Sequence, residues 1–247
     1  MRQVKRLLSK LDHTIGKINI YIYEGGLSCD DVESLARLVG KLKGNDLQVA
    51  EVGSWTGCST FVLANEVRGR GKVFAIDHWK GTGGAVLEWN AKHMDALAIF
   101  KQNMIDLEVW DTIHVMRMTS LEAVKKFKDG TLDLVFIDAN HRYKHITEDI
   151  QAWLPKVKAG GILCGHDAEG KYSQYTTRER ELIDEYLDAD CIKGISKPIH
   201  GGVIKTLYDC FDDKHTIMPQ RMWCYTKGED NENPFNRSNI PLHDPNV

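Results

Sequence analysis

Several absences narrow the reading before any motif is considered. No two of the six cysteines (positions 29, 58, 164, 191, 210 and 224) form a Cys-x-x-Cys pair, which excludes a zinc ribbon. Cys58 and Cys164 sit inside apolar runs, where a buried free thiol is the expected outcome. No stretch approaches the roughly 18 consecutive apolar residues of a membrane span. Charge of one sign is missing too: 32 Lys and Arg against 35 Asp and Glu give a net charge of -3, which argues against a generic binder of nucleic-acid backbones. No Asn/Asp-Pro-Pro-aromatic tetrapeptide of nucleic-acid methylases is present. The opening Met1-Arg2-Gln3-Val4-Lys5-Arg6 is not followed by an apolar stretch of signal-peptide length. These absences fit a reduced, cytoplasmic, enzyme-like domain. The 42% apolar and 27% charged content over 247 residues is ordinary for a globular chain with a sizeable core.

What is present begins at Val49-Ala50-Glu51-Val52-Gly53-Ser54-Trp55-Thr56-Gly57-Cys58-Ser59-Thr60. An apolar run carries an acid, turns at glycine, and reaches Ser59 and Thr60, either of which can cap a helix. That order reads as strand, tight turn and helix, the place where nucleotide-like ligands sit in α/β proteins. A dinucleotide fingerprint would need glycines at the first, third and sixth positions; from Gly53 those positions hold Trp55 and Cys58. Trp55 would obstruct a pyrophosphate, so NAD and FAD are disfavoured. A second apolar run, Val73-Phe74-Ala75-Ile76, ends in Asp77, where an acid reaches both hydroxyls of a ribose. A phosphate-free cationic nucleoside, S-adenosylmethionine, satisfies both features. Glu51 then favours its ammonium end and Asp77 its ribose. A plain corner with a buried, satisfied Glu51 is the competing reading.

The remaining pattern alternates. Strands are expected at 47–53, 72–77, 112–116, 132–138 and 159–165, and helices at 30–43, 58–68, 93–107, 119–128, 143–154 and 178–188. Strands separated by helix-length segments imply right-handed crossovers and a parallel sheet. Leu132-Asp133-Leu134-Val135-Phe136-Ile137 and Ile162-Leu163-Cys164 are nearly unbroken apolar runs, as in strands covered on both faces. Lys158-Ala159-Gly160-Gly161 supplies a turn into the second. A helix at 203–210 and a last strand at 221–225, antiparallel, close the pattern. The organisation expected is an N-terminal helical or lid segment at 1–44, a ligand-binding domain at 45–228 and a polar tail at 229–247.

Asp138 and Asp167 close neighbouring buried strands, with His141 and His166 beside them. Parallel strands deliver such ends to one crevice. His141 or His166 can act as general base, with Asp138 in support. Alternatively Asp138, His166 and Asp167 hold a hard divalent cation, Mg2+ or Mn2+, that acidifies a substrate hydroxyl. Strand-end capping by hydrogen bonds is the plainer reading of Asp138 and His166. The glycine-rich Trp79-Lys80-Gly81-Thr82-Gly83-Gly84 can close over a ligand, and Glu169-Gly170-Lys171-Tyr172-Ser173-Gln174-Tyr175 offers aromatic and hydroxyl contacts. Trp89, Trp110 and Trp153 are expected in the core.

Taken together, Glu51 to Thr60, Ile76-Asp77-His78-Trp79, Phe136-Ile137-Asp138-Ala139-Asn140-His141-Arg142-Tyr143, Trp153-Leu154-Pro155, Ala159 to Asp167, His200-Gly201-Gly202-Val203 and Met222-Trp223-Cys224-Tyr225 resemble the class I S-adenosylmethionine-dependent methyltransferases. The likeness is to the bacterial subgroup with a Glu-x-Gly-Ser-Trp-x-Gly-x-Ser-Thr first motif, and it spans roughly residues 45–227. It implies an α/β, doubly wound, Rossmann-like sheet of seven mostly parallel strands with a terminal antiparallel strand. It implies a cofactor turn of Glu51, Gly53, Ser54 and Gly57, with Asp77 and His78 at the ribose, Thr119 and Ser120 near the adenine, and Asp138 at the cofactor's edge. Met118 departs from the small or acidic residue usual beside that adenine contact. His166 departs from the acid that related metal-dependent O-methyltransferases carry. The implied reaction is O-methylation of a small-molecule or glycan acceptor, with no nucleic-acid or membrane partner, and the family allows a homo-oligomer. A non-methylating, hydroxylase-like member and a cofactor-free doubly wound binding module are the alternatives.

Overall fold

A computed structural model describes residues 27–81, 90–193, 195 and 197–228. The expectations placed on 1–26, on the loop residues Thr82 to Gly84, on Trp89 and on the 229–247 tail lie outside the described residues. In chain order the main elements are α1 (Cys29–Gly40), β1 (Leu47–Val52), α2 (Cys58–Val67), β2 (Gly71–Asp77) and α3 (Ala96–Asp106). They continue with β3 (Ile113–Arg117), α4 (Ser120–Ala123), β4 (Leu132–Ile137), α5 (Tyr143–Trp153) and β5 (Val157–Gly165). The last are α6 (Thr177–Glu185), α7 (Gly201–Phe211), β6 (Thr216–Ile217) and β7 (Trp223–Thr226).

The strands form one seven-stranded sheet in the order β3-β2-β1-β4-β5-β7-β6. β1 to β5 pair in parallel, and β7 runs antiparallel to both β5 and β6. Apolar residues at successive positions explain the double covering, because successive side chains point to opposite faces. On β4, Leu134 and Phe136 pack into the layer containing α1, α2 and α3, while Val135 and Ile137 pack into the layer of α5 and α7. β1 divides its side chains likewise, with Val49 in the first layer and Ala50 and Val52 in the second. Trp153 is fully buried, Trp110 is partly buried against the first layer, and all six cysteines are free thiols.

The elements depart from the sequence pattern at several points. Residues 119–128 form only the short α4 and a 3-10 turn to Lys126; Phe127 leaves the helix and packs edge-on against Phe74, 4.9 Å between ring centres. The expected turn at 158–161 is instead an irregularity within β5: Leu132 pairs with Val157, but Leu134 pairs with Ile162. Gly160 absorbs that extra length at φ +73°. α3 starts at Ala96, where Asp95 caps it, and α1 ends at Gly40. The two-residue β6 has too little pattern to be read from sequence.

Register puts the functional residues on one edge. Val52 pairs with Ile76 on one side and Ile137 on the other, and Ile137 pairs with Gly165. The next residues along each strand, Gly53, Asp77, Asp138 and His166, therefore emerge side by side. β1 and β4 are neighbours whose following strands lie on opposite sides, the switch point where open α/β sheets bind ligands. α1 also reaches this edge. Its Ser28 side chain accepts from the Asp31 amide, the Asp31 carboxylate accepts from the Ser28 amide at 2.8 Å, and that capping box leaves Asp31 buried beneath the strand ends.

Candidate active site

A cavity of about 630 Å³ opens over the switch point, within the range of small-ligand sites. Its floor is the turn after β1. Gly53 has φ +95°, and a Cβ there would lie 2.0 Å from the Asp138 carbonyl oxygen, so only glycine fits. Gly57, also left-handed at φ +98°, occupies the N-cap of α2 without any side-chain cap. Neither Ser59 nor Thr60 serves as cap: Thr60 is buried and donates its hydroxyl to Glu51. The first amides of α2 are thus left open beside the cavity.

The expected cofactor residues divide into two groups. Gly53, Ser54, Gly57, Asp77, His78, Thr119, Ser120 and Asp138 all line the cavity. Glu51 does not; it lies wholly buried behind the turn, where burial pushes its carboxyl up to about 7. One of its oxygens finds no hydrogen-bond partner. Asp77 accepts from the Trp55 amide at 2.9 Å and from the Trp79 amide at 2.6 Å, tying the two loops together. Trp79 closes the link by donating its indole N–H to the Trp55 carbonyl, 2.7 Å. His78 Nδ1 accepts from the Lys80 amide, 2.9 Å.

Thr119 and Ser120 reach the wall with their hydroxyls already engaged. Thr119 caps α4 and donates to Glu122 at 2.8 Å. Ser120 accepts from the Trp153 indole at 2.8 Å and donates to Asp149. Asp149 was not foreseen. Burial pushes its carboxyl up to about 7, and it lines the cavity. The signal was an acid at position 149 within the apolar stripe of Ile146, Ile150 and Trp153.

The opposite wall holds a carboxylate–imidazole cluster. His141 Nε2 stands 3.1 Å from Asp167 Oδ2 and 3.8 Å from Asp138 Oδ1, while its Nδ1 is 3.0 Å from Asp190 Oδ1. Burial disfavours the charged ring, but bonds to Asp138, Asp167 and Asp190 outweigh it and push His141 up to about 12. His166 is enclosed between Asp167 (Nδ1, 3.3 Å) and Asp31 (Nε2, 3.4 Å), and they push it up to about 10 against the same burial. The surrounding carboxylates favour the imidazolium form of each ring. Burial would raise Asp167, yet His141 and His166 hold it well below the usual carboxylate range. Asp167 adopts φ +62°, a conformation that aspartate tolerates better than most residues, and this turns it toward both histidines.

Further groups complete the cluster from distant segments. His200, at the start of α7, lies 2.7 Å from Glu169 Oε1 and 3.5 Å from Asp167 Oδ1, with its ring centre 4.7 Å from that of His141. Arg221, from the turn before β7, reaches Asp167 Oδ1 at 3.1 Å. The His200-Gly201-Gly202 motif has a packing cause: a Cβ on Gly202 would lie 2.3 Å from the His141 carbonyl oxygen. Two sets of donor atoms fall within 4.8 Å of one another: Asp138, His166 and Asp167, and His141, Asp167 and His200. Asp31, Asp190, His200 and Arg221 were not read as site residues, since no local pattern links them to the strand ends; Glu169 opens the 169–175 loop that was expected to offer contacts.

A doubly wound sheet with a glycine turn and an acid at its switch point defines an α/β fold of the ligand-binding kind. Residues 50–168, just under half of the chain, match the methyltransferase domain family. An O-methyltransferase from Bacillus cereus, solved in complex with SAH, is 15% identical and covers 92% of this chain and 90% of its own, with a TM-score of 0.54. TomG, an O-methyltransferase from Streptomyces achromogenes solved with SAM, is 12% identical, covers 86% and 92%, and has a TM-score of 0.55. At such identities these structures establish the fold. A curated relative, the uncharacterized protein y4gI of Sinorhizobium fredii, is 25% identical over 125 residues. That match takes in 49% of this chain, which spans only 13% of y4gI. No described helix is long and apolar enough to cross a membrane.

Proposed function

We propose that the protein is an S-adenosylmethionine-dependent methyltransferase acting on a hydroxyl of a small molecule or sugar. The observation that carries this reading is one cavity joining the Gly53 turn and Asp77 to the Asp138–His141–Asp167 cluster. The residues fit the donor. Gly53 leaves room where any side chain would strike Asp138, the uncapped start of α2 suits a carboxylate, and Asp77 faces the cavity beside the turn. When bound, S-adenosylmethionine supplies an already activated methyl on a sulfonium.

The chain must then orient the acceptor and take its proton. Asp138 accepts the hydroxyl's hydrogen bond and its proton. His141, held charged by three carboxylates, keeps Asp138 oriented and stabilises the developing alkoxide. A divalent cation also belongs to this reading. Asp138 and Asp167 line the cavity and offer hard oxygen donors, whereas both His166 nitrogens face carboxylates, so His166 braces the oxygens instead of adding to them.

Calorimetric titration with S-adenosylhomocysteine, followed by transfer of radiolabelled methyl to hydroxyl acceptors, tests the reading. Saturable binding and acceptor labelling are expected. Absent binding overturns it, and binding without any transfer points to the non-methylating alternative.

A further inference from the structure

The pairing of β5 with β7 sets two free thiols directly opposite each other, Cys164 against Cys224. We propose that this pair is a reversible disulfide site, closed by a small-molecule disulfide such as oxidised glutathione, that clasps β5 to β7 behind the carboxylate–imidazole cluster. The bond itself is independent of any methyl donor or acceptor, and its effect on turnover rests on the proposed function.

The ladder places the pair where a disulfide can close. The Lys227 amide donates to the Gly161 carbonyl at 2.9 Å, which makes those two residues a hydrogen-bonded pair. Bonded and non-bonded pairs alternate along an antiparallel ladder, so Leu163/Tyr225 and Gly165/Trp223 are bonded and Cys164/Cys224 is not. The other edge of β7 agrees. There the Met218 amide donates to the Met222 carbonyl at 2.8 Å, which turns the backbone groups of Cys224 toward Thr216 and away from β5. Facing Cα atoms at a non-bonded position stand about 4.5 Å apart, inside the span of about 4.4–6.8 Å that a disulfide bridges. Both side chains enter the same apolar layer.

The two thiols differ in access, since Cys164 is fully buried and Cys224 half-buried. Burial pushes the Cys224 thiol up, while Lys41, just past α1, and the Thr216 hydroxyl oppose that rise. Cys224 therefore reacts first. Its thiolate attacks one sulfur of oxidised glutathione and expels a glutathione thiolate, leaving a mixed disulfide. The Cys164 thiolate then attacks the Cys224 sulfur and expels the second glutathione. The cysteines lose two electrons and two protons, and both end on the two glutathione thiols. Closure reaches the cluster through the strands: a Cβ on Gly165 would lie 2.7 Å from the Trp223 indole, so the neighbours of the two cysteines are already in tight contact. β5 runs on from Gly165 to His166 and Asp167, and Arg221, two residues before Trp223, stands 3.1 Å from Asp167.

The test equilibrates the full chain in glutathione buffers of rising oxidised fraction, quenches with N-ethylmaleimide and maps the digest by mass spectrometry. Expected is a linked peptide joining Cys164 to Cys224, lighter by two hydrogens, that forms while circular dichroism shows a folded chain and is lost with dithiothreitol. Cys224→Ser should abolish it, and Cys29→Ser, at an exposed thiol, should leave it in place. Methyl transfer should fall by about 10-fold or more on closure, as small misplacements of reacting groups do, and return on reduction, with Cys224→Ser insensitive to the oxidant. The proposal is overturned if Cys224 stops at the glutathione adduct, if Cys29 is modified while Cys164 and Cys224 stay as thiols, or if the link forms only in urea. A linked chain with unchanged turnover refutes the clasp's reach into the cluster, and a chain that links but methylates no acceptor in either state counts against the proposed function alone.

Discussion

Replacing Asp77 by Asn separates the two tasks that this carboxylate performs. Within the protein it accepts from two backbone amides, those of Trp55 and Trp79. Asn keeps a single acceptor oxygen, so its amino group faces one of those N–H donors, and a buried unmade hydrogen bond costs about 1–3 kcal/mol. For a domain of this size that lowers the melting temperature by roughly 2–4 °C per kcal/mol. In the proposed complex, the charged oxygens receive the ribose diol. Hydrogen bonds to a charged group contribute about 1.5–3 kcal/mol each, so two weakened bonds remove about 3 kcal/mol, roughly 100-fold in affinity.

Calorimetry with S-adenosylhomocysteine at a temperature well below the variant's melt reads the second number, and a thermal melt reads the first. A cycle with adenosine and 2′,3′-dideoxyadenosine isolates the diol: the wild type should discriminate between them and the variant should not. If Asp77→Asn binds S-adenosylhomocysteine within threefold of the wild type, or discriminates between the two nucleosides equally well, the ribose assignment fails.

Gly53→Ala places a Cβ 2.0 Å from the Asp138 carbonyl at φ +95° and should cost at least about 2 kcal/mol, seen as a melt lowered by roughly 4–8 °C. His141→Ala should retain binding of S-adenosylhomocysteine but lower kcat at least 100-fold, measured by radiolabelled methyl transfer with saturating acceptor. For Asp149 the folded pKa, about 7, lies above the unfolded value of 3.8, so the native state holds the extra proton. Its contribution to stability is present at low pH and declines as pH rises from about 4 to 7. Asp149→Asn should remove that decline, a slope of roughly 1.4 kcal/mol per pH unit at most, in denaturant titrations across that window. Gly202→Ala pushes on the His141 carbonyl at 2.3 Å, so kcat should fall while the affinity for S-adenosylhomocysteine, bound at the other wall, is kept.

Much of the sheet was legible because its physics is local. Leu134 to Ile137 are apolar at every position, which only a doubly covered strand explains, and Gly53 and Asp77 stand where β1 and β2 end. Asp138, His141, His166 and Asp167 could be brought together because parallel strands share one edge. The surroundings of these residues were not legible. Asp31 comes from α1, Asp190 and His200 from either side of the Ile192–Ile199 bridge, and Arg221 from the β7 turn, and no periodicity relates those segments to β4 or β5. Asp190 and Asp31, which flank His141 and His166, lie far from them in sequence, so the charge around the two rings was not legible. The failed helix at 119–128 has a comparable cause, since aromatic packing of Phe127 outweighed local propensity.

The contact between Asp31 and His166 sets the helix ahead of the family-matched stretch against the carboxylate–imidazole cluster. Trimming the chain to the matched 50–168 would strip away the carboxylate behind His166, and cutting before residue 200 would remove a wall of the pocket. The folded unit that holds this site is consequently larger than its recognisable signature, and on the proposed function mutations in the first turn of α1 should register as changes in turnover.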